Sequence, residues 1–191
     1  MRTPSSPLPP SGHTTSNRPS RERLLDAFEV ILIDEGERAA TLEAVAARAG
    51  ISKGGLLYHF GSKDAMVSGL LDRLATLVAD DVARIREAAE GSIEYLLRTS
   101  VATQSPLERT IMASMSLAQG SNERVRSGLR DMQEAWLGVV RENVGDPVLA
   151  RVISLVSDGL YFNSMLRPDT DQLSPSELDD VVRFVTALRR G

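Results

Sequence analysis

Helix signals dominate the sequence from residue 20 onwards. Apolar residues recur three or four positions apart, and no stretch shows the sustained alternation of a half-buried strand. In SPLE (105–108) and SPSE (174–177), a serine precedes proline and a glutamate follows three residues after the serine, which is a helix-start signature. The pattern predicts an all-α chain of about nine helices, over about 20–34, 42–49, 53–60, 63–89, 92–103, 106–119, 122–143, 147–166 and 175–190.

Composition argues against several classes of function. The 191 residues contain no cysteine and only two histidines, His13 and His59, so a structural zinc site is not expected. The chain has no phosphate-binding loop, dinucleotide fingerprint or nucleophile elbow. No apolar run approaches the roughly 20 residues that a membrane helix needs. We expect a cytoplasmic protein that is not an enzyme and has no cofactor or metal.

Charge is distributed unevenly along the chain, whose formal net charge is −4. Residues 1–65 contain eight Lys and Arg and eight Asp and Glu, whereas residues 66–191 contain 14 and 18. A neutral N-terminal part can still bind DNA through helix ends, hydroxyl groups and a few cations. Residues 1–19 hold five of the nine prolines and little to bury, which predicts a disordered arm. The arm is either a solvated linker or a segment that touches DNA.

The stretch over 41–60 has the order of a helix-turn-helix. An apolar stripe ends at a glycine turn, and a second short helix follows Ser52. Its first turn carries Gly54 and Gly55, although glycine in a helix interior costs about 1 kcal/mol relative to alanine. A bare backbone there would let the helix end approach DNA closely, with free N–H groups facing the phosphates. Tight packing between helices is the alternative reason for Gly55.

Residues 41–66, TLEAVAARAGISKGGLLYHFGSKDAM, closely resemble the pattern of the TetR family of bacterial transcriptional regulators, and the match covers about residues 20–70. The resemblance implies an N-terminal helix-turn-helix head over 20–65 and a C-terminal helical domain for ligand binding and dimerisation over 66–191. It also implies DNA contacts from Thr41, Ser52, Lys53, Gly54, Gly55, Leu57, Tyr58, His59 and Lys63. Thr41 and Ser52 would then both cap helices and bond phosphates, although capping alone suffices for their presence.

One position departs from the family pattern. The family commonly has tyrosine where this chain has Leu57, and here Tyr58 follows it. Either Tyr58 takes over a phosphate contact while Leu57 meets a thymine methyl group, or Leu57 packs inward and the contact is missing. His59 contacts phosphate or is simply a solvated surface residue.

The C-terminal part contains candidate pocket and interface residues. Methionines and aromatic residues suit an adaptable apolar cavity, although ordinary core packing uses the same types. The pocket candidates are Met112, Met115, Met132, Gln133, Trp136, Tyr161, Phe162 and Met165, with Asp158 and Asn163 as polar groups that could orient a ligand. Two apolar stripes face either a dimer interface or the chain's own core. They are Leu149, Val152, Ile153, Val156 and Leu160, and Leu178, Val181, Val182, Val185 and Leu188.

The resemblance implies a homodimeric repressor on a palindromic operator of double-stranded DNA. A small apolar or aromatic effector in the C-terminal domain would shift the fourth helix and lower the affinity for DNA. An activator, an architectural DNA-binding protein with a solid C-terminal core, and a small all-α enzyme are the alternatives.

Overall fold

The computed structural model describes residues 19–101, 105–120, 122–166 and 173–188. These residues form helices and no strand, which confirms the all-α expectation. None of the helices within these ranges has the length and apolarity needed to cross a bilayer. The helices are α1 (Ser20–Asp34), α2 (Leu42–Ala49), α3 (Lys53–His59), α4 (Lys63–Glu87), α5 (Ser92–Thr99), α6 (Pro106–Ala118), α7 (Glu123–Val144), α8 (Pro147–Leu166) and α9 (Pro175–Leu188).

Side-chain caps define most of the helix starts. Ser62 Oγ accepts a hydrogen bond from the backbone N–H of Ala65 at 3.1 Å, and Ser105 Oγ accepts one from Glu108 at 3.0 Å. At α9 the box is reciprocal, since Ser174 caps Glu177 N–H and the Glu177 carboxylate accepts from Ser174 N–H at 2.8 Å. These bonds satisfy backbone donors that have no partner within the helix.

One helix end differs from the sequence prediction. α5 ends at Thr99, whereas the pattern predicts helix to about residue 103. The hydroxyl groups of Thr99 and Ser100 both donate to the Leu96 carbonyl, and such bonds compete with the backbone ladder. The predicted N-terminal arm, apart from residue 19, lies outside the described residues.

The first core cluster joins the N-terminal helices around α1. Leu24, Phe28 and Ile31 of α1 are fully or almost fully buried against α2, α3 and the start of α4. At Gly69 of α4, a Cβ atom would lie 2.7 Å from the Phe60 ring, so only glycine lets that ring pack here. α6 and α7 also contribute side chains to this cluster. The N-terminal helices are therefore packed onto the C-terminal part rather than tethered to it.

The second core cluster lies among the later turns of α4 and helices α5 to α9. α4 contributes to both clusters, with Leu70 in the first and Leu74 in the second. Its 25 residues span about 37 Å at the helical rise of 1.5 Å per residue. A single rigid element therefore connects the N-terminal head to the C-terminal helices.

The two apolar stripes proposed for dimerisation need correction. Ile153, Leu160, Val182 and Val185 are buried in the second core cluster, because α8 packs on α5 and α7 and α9 packs on α5. Leu149, Val156, Leu178 and Val181 are partly buried against the same cluster, and only Val152 and Leu188 are exposed. The exposed apolar face of these helices instead consists of Val148, Val152, Leu155, Phe162 and Leu166 on α8 and Phe184 and Leu188 on α9.

Candidate nucleic-acid interface and internal cavity

α3 presents one face to the core and the other to solvent. Leu56 is fully buried and Phe60, its C-cap, is almost so. Tyr58 is 84% exposed and Leu57 is 43% exposed. The interpretation in which Leu57 packs inward is therefore wrong, because Leu56 and Phe60 already occupy the inward positions. Leu57 and Tyr58 both remain available to a molecule that approaches from outside.

The two glycines of α3 have different surroundings. A Cβ atom on Gly55 would lie 3.0 Å from Ile51 Cγ2 and 3.3 Å from Ser52 Oγ, so crowding inside the turn is enough to explain this glycine. A Cβ atom on Gly54 would meet no atom within 4 Å. The backbone of Gly54 is in an ordinary helical conformation that any residue adopts. The fold itself does not require glycine at position 54.

Two hydroxyl groups cap the helices of the motif. Thr41 Oγ1 accepts from Ala44 N–H at 3.2 Å, and Ser52 Oγ accepts from Gly55 N–H at 3.1 Å. Both bonds lie on the exposed surface. Each hydroxyl uses its oxygen as an acceptor in the cap and still has its O–H group to donate. Capping and a phosphate contact are therefore compatible at both positions.

The cations near α3 form exposed ion pairs. Lys53 Nζ donates to Glu43 Oε1 at 2.7 Å, a bond that lowers the pKa of the Glu43 carboxyl group. Lys63 Nζ donates to the Glu37 carbonyl at 2.7 Å and lies 3.7 Å from its carboxylate. Exposed pairs of this kind are weak and exchange readily. Phosphate groups can therefore replace the carboxylates at little cost.

Three further positions complete the surroundings of α3. His59 is half-buried, and its ring lies edge-on to Tyr58 with 5.1 Å between centroids. Arg23 Nη2 donates to the Ala49 carbonyl at 2.6 Å, and Arg21 lies over the Phe60 ring at 5.4 Å. These two arginines belong to α1 and brace the ends of α2 and α3. Sequence reasoning missed this role, because each contact joins residues more than 25 positions apart.

An internal cavity of about 400 Å³ lies among α4, α5, α6, α7 and α8. Five of the pocket candidates line it together with Asp158: Met132, Gln133, Trp136, Tyr161 and Phe162. Its other lining residues are Leu77, Asp81 and Arg84 of α4, Tyr95, Leu96, Thr99 and Ser100 of and after α5, and Ser105, Pro106, Leu107, Glu108 and Ile111 at the start of α6. Leu77, Asp81 and Arg84 have the i, i+4, i+7 spacing that places residues on one face of a helix, and this spacing could have indicated them from the sequence.

The remaining pocket candidates lie elsewhere. Met112 and Met115 are half-buried on α6, which instead presents Ile111 to the cavity, and Met115 packs on the second core cluster. Met165 is half-buried near the end of α8 and is not a lining residue. Asn163 is exposed, and its side-chain amide donates to the Gly159 carbonyl of its own helix. These four candidates therefore do not line this cavity.

Burial raises the pKa values of three ionisable groups that line the cavity. It raises the pKa of Asp81, although the Trp136 Nε1–H group donates to Asp81 Oδ2 at 2.9 Å and opposes the shift. It also raises the pKa of Asp158, which forms no hydrogen bond or ion pair with any described residue. The Tyr161 hydroxyl is buried without a hydrogen-bond partner in the described ranges, and burial raises its pKa to about 12.

Comparison with known families identifies the two halves of the chain. Residues 24–70 match the family model described as bacterial regulatory proteins, tetR family, and residues 90–190 match the Tetracyclin repressor-like, C-terminal domain. The chain belongs to the TetR family. Because this family consists of DNA-binding transcriptional regulators, the chain is a transcriptional regulator rather than an enzyme, as the sequence predicts.

This TetR-family regulator is similar in sequence to several transcriptional regulators. It is 30% identical to the transcriptional repressor KstR2 of Rhodococcus jostii over 147 residues, which cover 72% of each chain. It is 32% identical to the transcriptional regulator UidR of Escherichia coli K12 over 138 residues, which cover 69% of this chain and 68% of UidR. A match to the transcriptional activator FasR of Mycolicibacterium smegmatis is 33% identical over 46% of this chain and 47% of FasR.

Solved structures share the fold at lower identity. Salmonella enterica GusR superposes with a TM-score of 0.65 at 17% identity and covers 93% of this chain and 99% of its own. The multidrug binding protein EbrR complexed with malachite green superposes with a TM-score of 0.65 at 21% identity, over 88% of this chain and 96% of its own. These similarities establish the arrangement of helices.

A polar cluster in this TetR-family regulator connects the cavity helices to α1. Arg73 of α4 contacts the carboxylates of three α1 residues at 2.6 to 3.1 Å: Glu22, Asp26 and Glu29. Thr110 of α6 donates to Glu29 Oε1 at 2.6 Å. Burial raises the pKa of Glu29, although Thr110 and Arg73 oppose this shift. Two of the cavity-lining helices, α4 and α6, therefore hold α1 through one cluster.

Proposed function

We propose that this regulator is a homodimeric repressor that binds a palindromic operator and is released by a small apolar or aromatic effector. The observation that carries the proposal is the open space over Gly54 at the N-terminal end of an otherwise well-anchored α3. The proposed DNA contacts are Thr41, Ser52, Lys53, Gly54, Gly55, Leu57, Tyr58, His59 and Lys63. The protein would act in the cytoplasm, where its operator is.

The proposed contacts form a continuous outer surface. Ser52 and Lys53 directly precede the open position, and Tyr58 extends into solvent about one turn after it. The N-terminal N–H groups and the helix dipole favour a phosphate at this end. A side chain at position 54 would stand between the helix backbone and such a phosphate. We infer that this is why glycine occupies the position.

The exposed apolar row on α8 supports dimerisation. Val148, Val152, Leu155, Phe162 and Leu166 recur at spacings of four, three, seven and four residues, which is the pattern of a helix-pair interface. Gly159 lies in the same row, and a Cβ atom there would meet nothing within 4 Å, so a second helix can approach closely. Two copies of the head can then meet major-groove sites about 34–36 Å apart.

The path from effector to DNA runs through two helices. α4 begins beside the proposed DNA surface at Lys63 and lines the cavity further on at Leu77 and Asp81. α6 lines the cavity at Ile111 and holds α1 through Thr110. An effector that displaces either helix would move the head, with a coupling free energy of about 1–3 kcal/mol. The name of KstR2 supports repression, and the complex of EbrR with malachite green supports a small-molecule effector.

The DNA-binding part is tested by a charged substitution at the open position. Operator fragments are selected from random DNA with the full chain, and the affinity of Gly54→Glu is measured by gel shift. We expect a loss of at least about 100-fold, because the carboxylate would lie against phosphates. Gly138→Glu is the matched control, since it adds the same charge at another open helical position. Operator affinity in Gly54→Glu equal to that of Gly138→Glu would remove α3 from the interface.

The effector part is tested by reciprocity. A compound that releases the operator must lose affinity for the regulator by the same factor when operator is saturating. Calorimetric titration with and without operator measures both factors. If ligand binding were unaffected by saturating operator, the compound would not act through the proposed coupling.

A further inference from the structure

Carboxylate groups dominate the charge of the cavity wall. Among the described residues, Asp81, Glu108 and Asp158 line it together with one cationic side chain, Arg84. Arg84 is exposed to solvent, whereas Asp81 and Asp158 are half-buried and Glu108 is buried. Solvent screens an exposed cation far more strongly than it screens charges inside the protein. Among the described lining residues, the charged groups held away from solvent are therefore carboxylates.

The two aspartates have little compensation from the protein itself. Asp81 accepts one hydrogen bond, from the neutral indole of Trp136, and its charge is also offset by the solvent-exposed Arg84. Asp158 has no hydrogen bond or ion pair with the residues that the structure describes, and among those residues Arg151 is the cation whose charge influences it. Groups of this kind are costly to bury unless a partner of opposite charge is supplied. A cationic ligand would supply that partner.

The remaining wall suits the body of an organic cation. Tyr95, Trp136, Tyr161 and Phe162 line the same cavity, and aromatic faces attract ammonium and guanidinium groups. The Tyr161 hydroxyl, which has no hydrogen-bond partner among the described residues, offers one more polar contact. A volume of about 400 Å³ lies in the range of pockets that hold drug-sized molecules.

We propose that the effector is a hydrophobic organic monocation, such as a substituted ammonium or amidinium ion, whose charged group lies between Asp81 and Asp158. The proposal rests on the proposed function, in which this cavity is the effector site. It excludes carboxylates and phosphate esters as effectors, because at that position they would meet the carboxylates of Asp81 and Asp158. It narrows the effector from any apolar or aromatic molecule to one with a positive charge.

The test compares three probes of similar size on the full chain. They are trimethyl(4-phenylbutyl)ammonium, its neutral isostere with carbon in place of nitrogen, and 5-phenylpentanoate. Trp136 is the only tryptophan in the chain and lines the cavity, so its fluorescence reports binding, and calorimetry gives an independent affinity. We expect the ammonium ion to bind at least about tenfold more tightly than the neutral isostere, with no detectable binding of the carboxylate.

Variants locate the effect at the cavity wall. Asp158→Asn should weaken ammonium binding about tenfold and leave the neutral isostere within about threefold, because only the Coulomb attraction is removed. Asp81→Asn should do the same by calorimetry. Asp131→Asn is the control, since it removes an exposed carboxylate of α7 outside the cavity, and it should change neither affinity.

Three results would overturn the proposal. They are binding of the neutral or anionic probe at least as tightly as the ammonium ion, no loss of ammonium affinity in either cavity variant, and binding of none of the probes. The operator assay separates this failure from failure of the proposed function. Release of operator by a neutral or anionic compound would refute only the cationic class. Tight ammonium binding with an unchanged affinity for operator would refute only release by the effector.

Discussion

The N-terminal head and the C-terminal part differ in whether their polar groups have partners and in whether their apolar side chains are covered. In the head, exposed cations pair with glutamates, and hydroxyl groups of Thr41 and Ser52 cap the helices. In the C-terminal part, Asp158 and the Tyr161 hydroxyl lack partners in the described ranges, and α8 exposes a row of apolar side chains. The head would thus bind DNA by exchanging partners it already has. The C-terminal part would bind other molecules by filling places that the fold leaves unoccupied.

The largest effect is expected when a charged residue is placed on the proposed surface of each part, one variant at a time. Leu155 of α8 is 60% exposed, so Leu155→Glu leaves the subunit core intact but places a charge in the proposed dimer interface. We expect the dimer dissociation constant to rise at least about 100-fold, because the charge would be buried without a partner. Operator affinity should fall with it. Sedimentation velocity and gel shift measure the two effects.

Leu57→Glu is the matched substitution in the head. Leu57 is also exposed, but it lies on α3, so this variant should lose operator affinity and remain a dimer. A monomeric Leu57→Glu or a dimeric Leu155→Glu would break the proposed division between the two surfaces.

A smaller effect concerns the cluster that joins the two parts. Arg73→Met leaves the Glu29 carboxylate, which is 2% exposed, without its cation. Such a change typically costs about 3 kcal/mol of unfolding free energy, measurable by urea denaturation. Arg86→Met is the control on the same helix, because Arg86 pairs with Glu142 on the exposed surface and should matter much less. Adding Glu29→Gln to Arg73→Met should recover most of the loss.

The pH dependence of this variant has a defined sign. Burial raises the pKa of Glu29 in the folded protein, and loss of Arg73 raises it further. The folded state then favours the protonated Glu29 carboxyl group. Its contribution to the free energy of unfolding is full below the pKa of the unfolded state and is lost as pH rises through the pKa of the folded state. Arg73→Met should differ most from the native protein at neutral pH and less on acidification. A constant difference would show that Glu29 is not the cause.

Local signals explain which features the sequence predicts. Helix starts such as Ser52 and Ser174 are encoded within four residues, so these starts and the helix-turn-helix can be predicted from the sequence to within a few residues. The apolar faces of α8 are not readable in this way. Ile153 and Leu155 are both aliphatic, yet one lies in the core and the other in solvent, and this depends on how α8 packs against α5 and α7. The same long-range packing determines that Asp81 lines the cavity.

The smallest expected effects come from the two adjacent glycines of the head. Gly54→Ala adds a methyl group in open space and should stabilise the fold by about 0.5 kcal/mol, because alanine is the better helix former. Gly55→Ala must displace the Ile51 side chain, and we expect a net loss of up to about 1 kcal/mol. Thermal denaturation followed by circular dichroism measures both changes.

At position 54, operator affinity and the stability of the fold should change in opposite directions. The Gly54→Ala methyl group would lie between the helix backbone and the DNA, so we expect affinity to fall about tenfold although the protein becomes more stable. Unchanged affinity would mean that glycine at 54 does not serve DNA binding, and α3 would then have to contact DNA through Leu57 and Tyr58 alone. A gain in stability with a loss of operator affinity would show that glycine at position 54 serves DNA binding and not the fold. At Gly55, by contrast, crowding by Ile51 and Ser52 already explains the glycine.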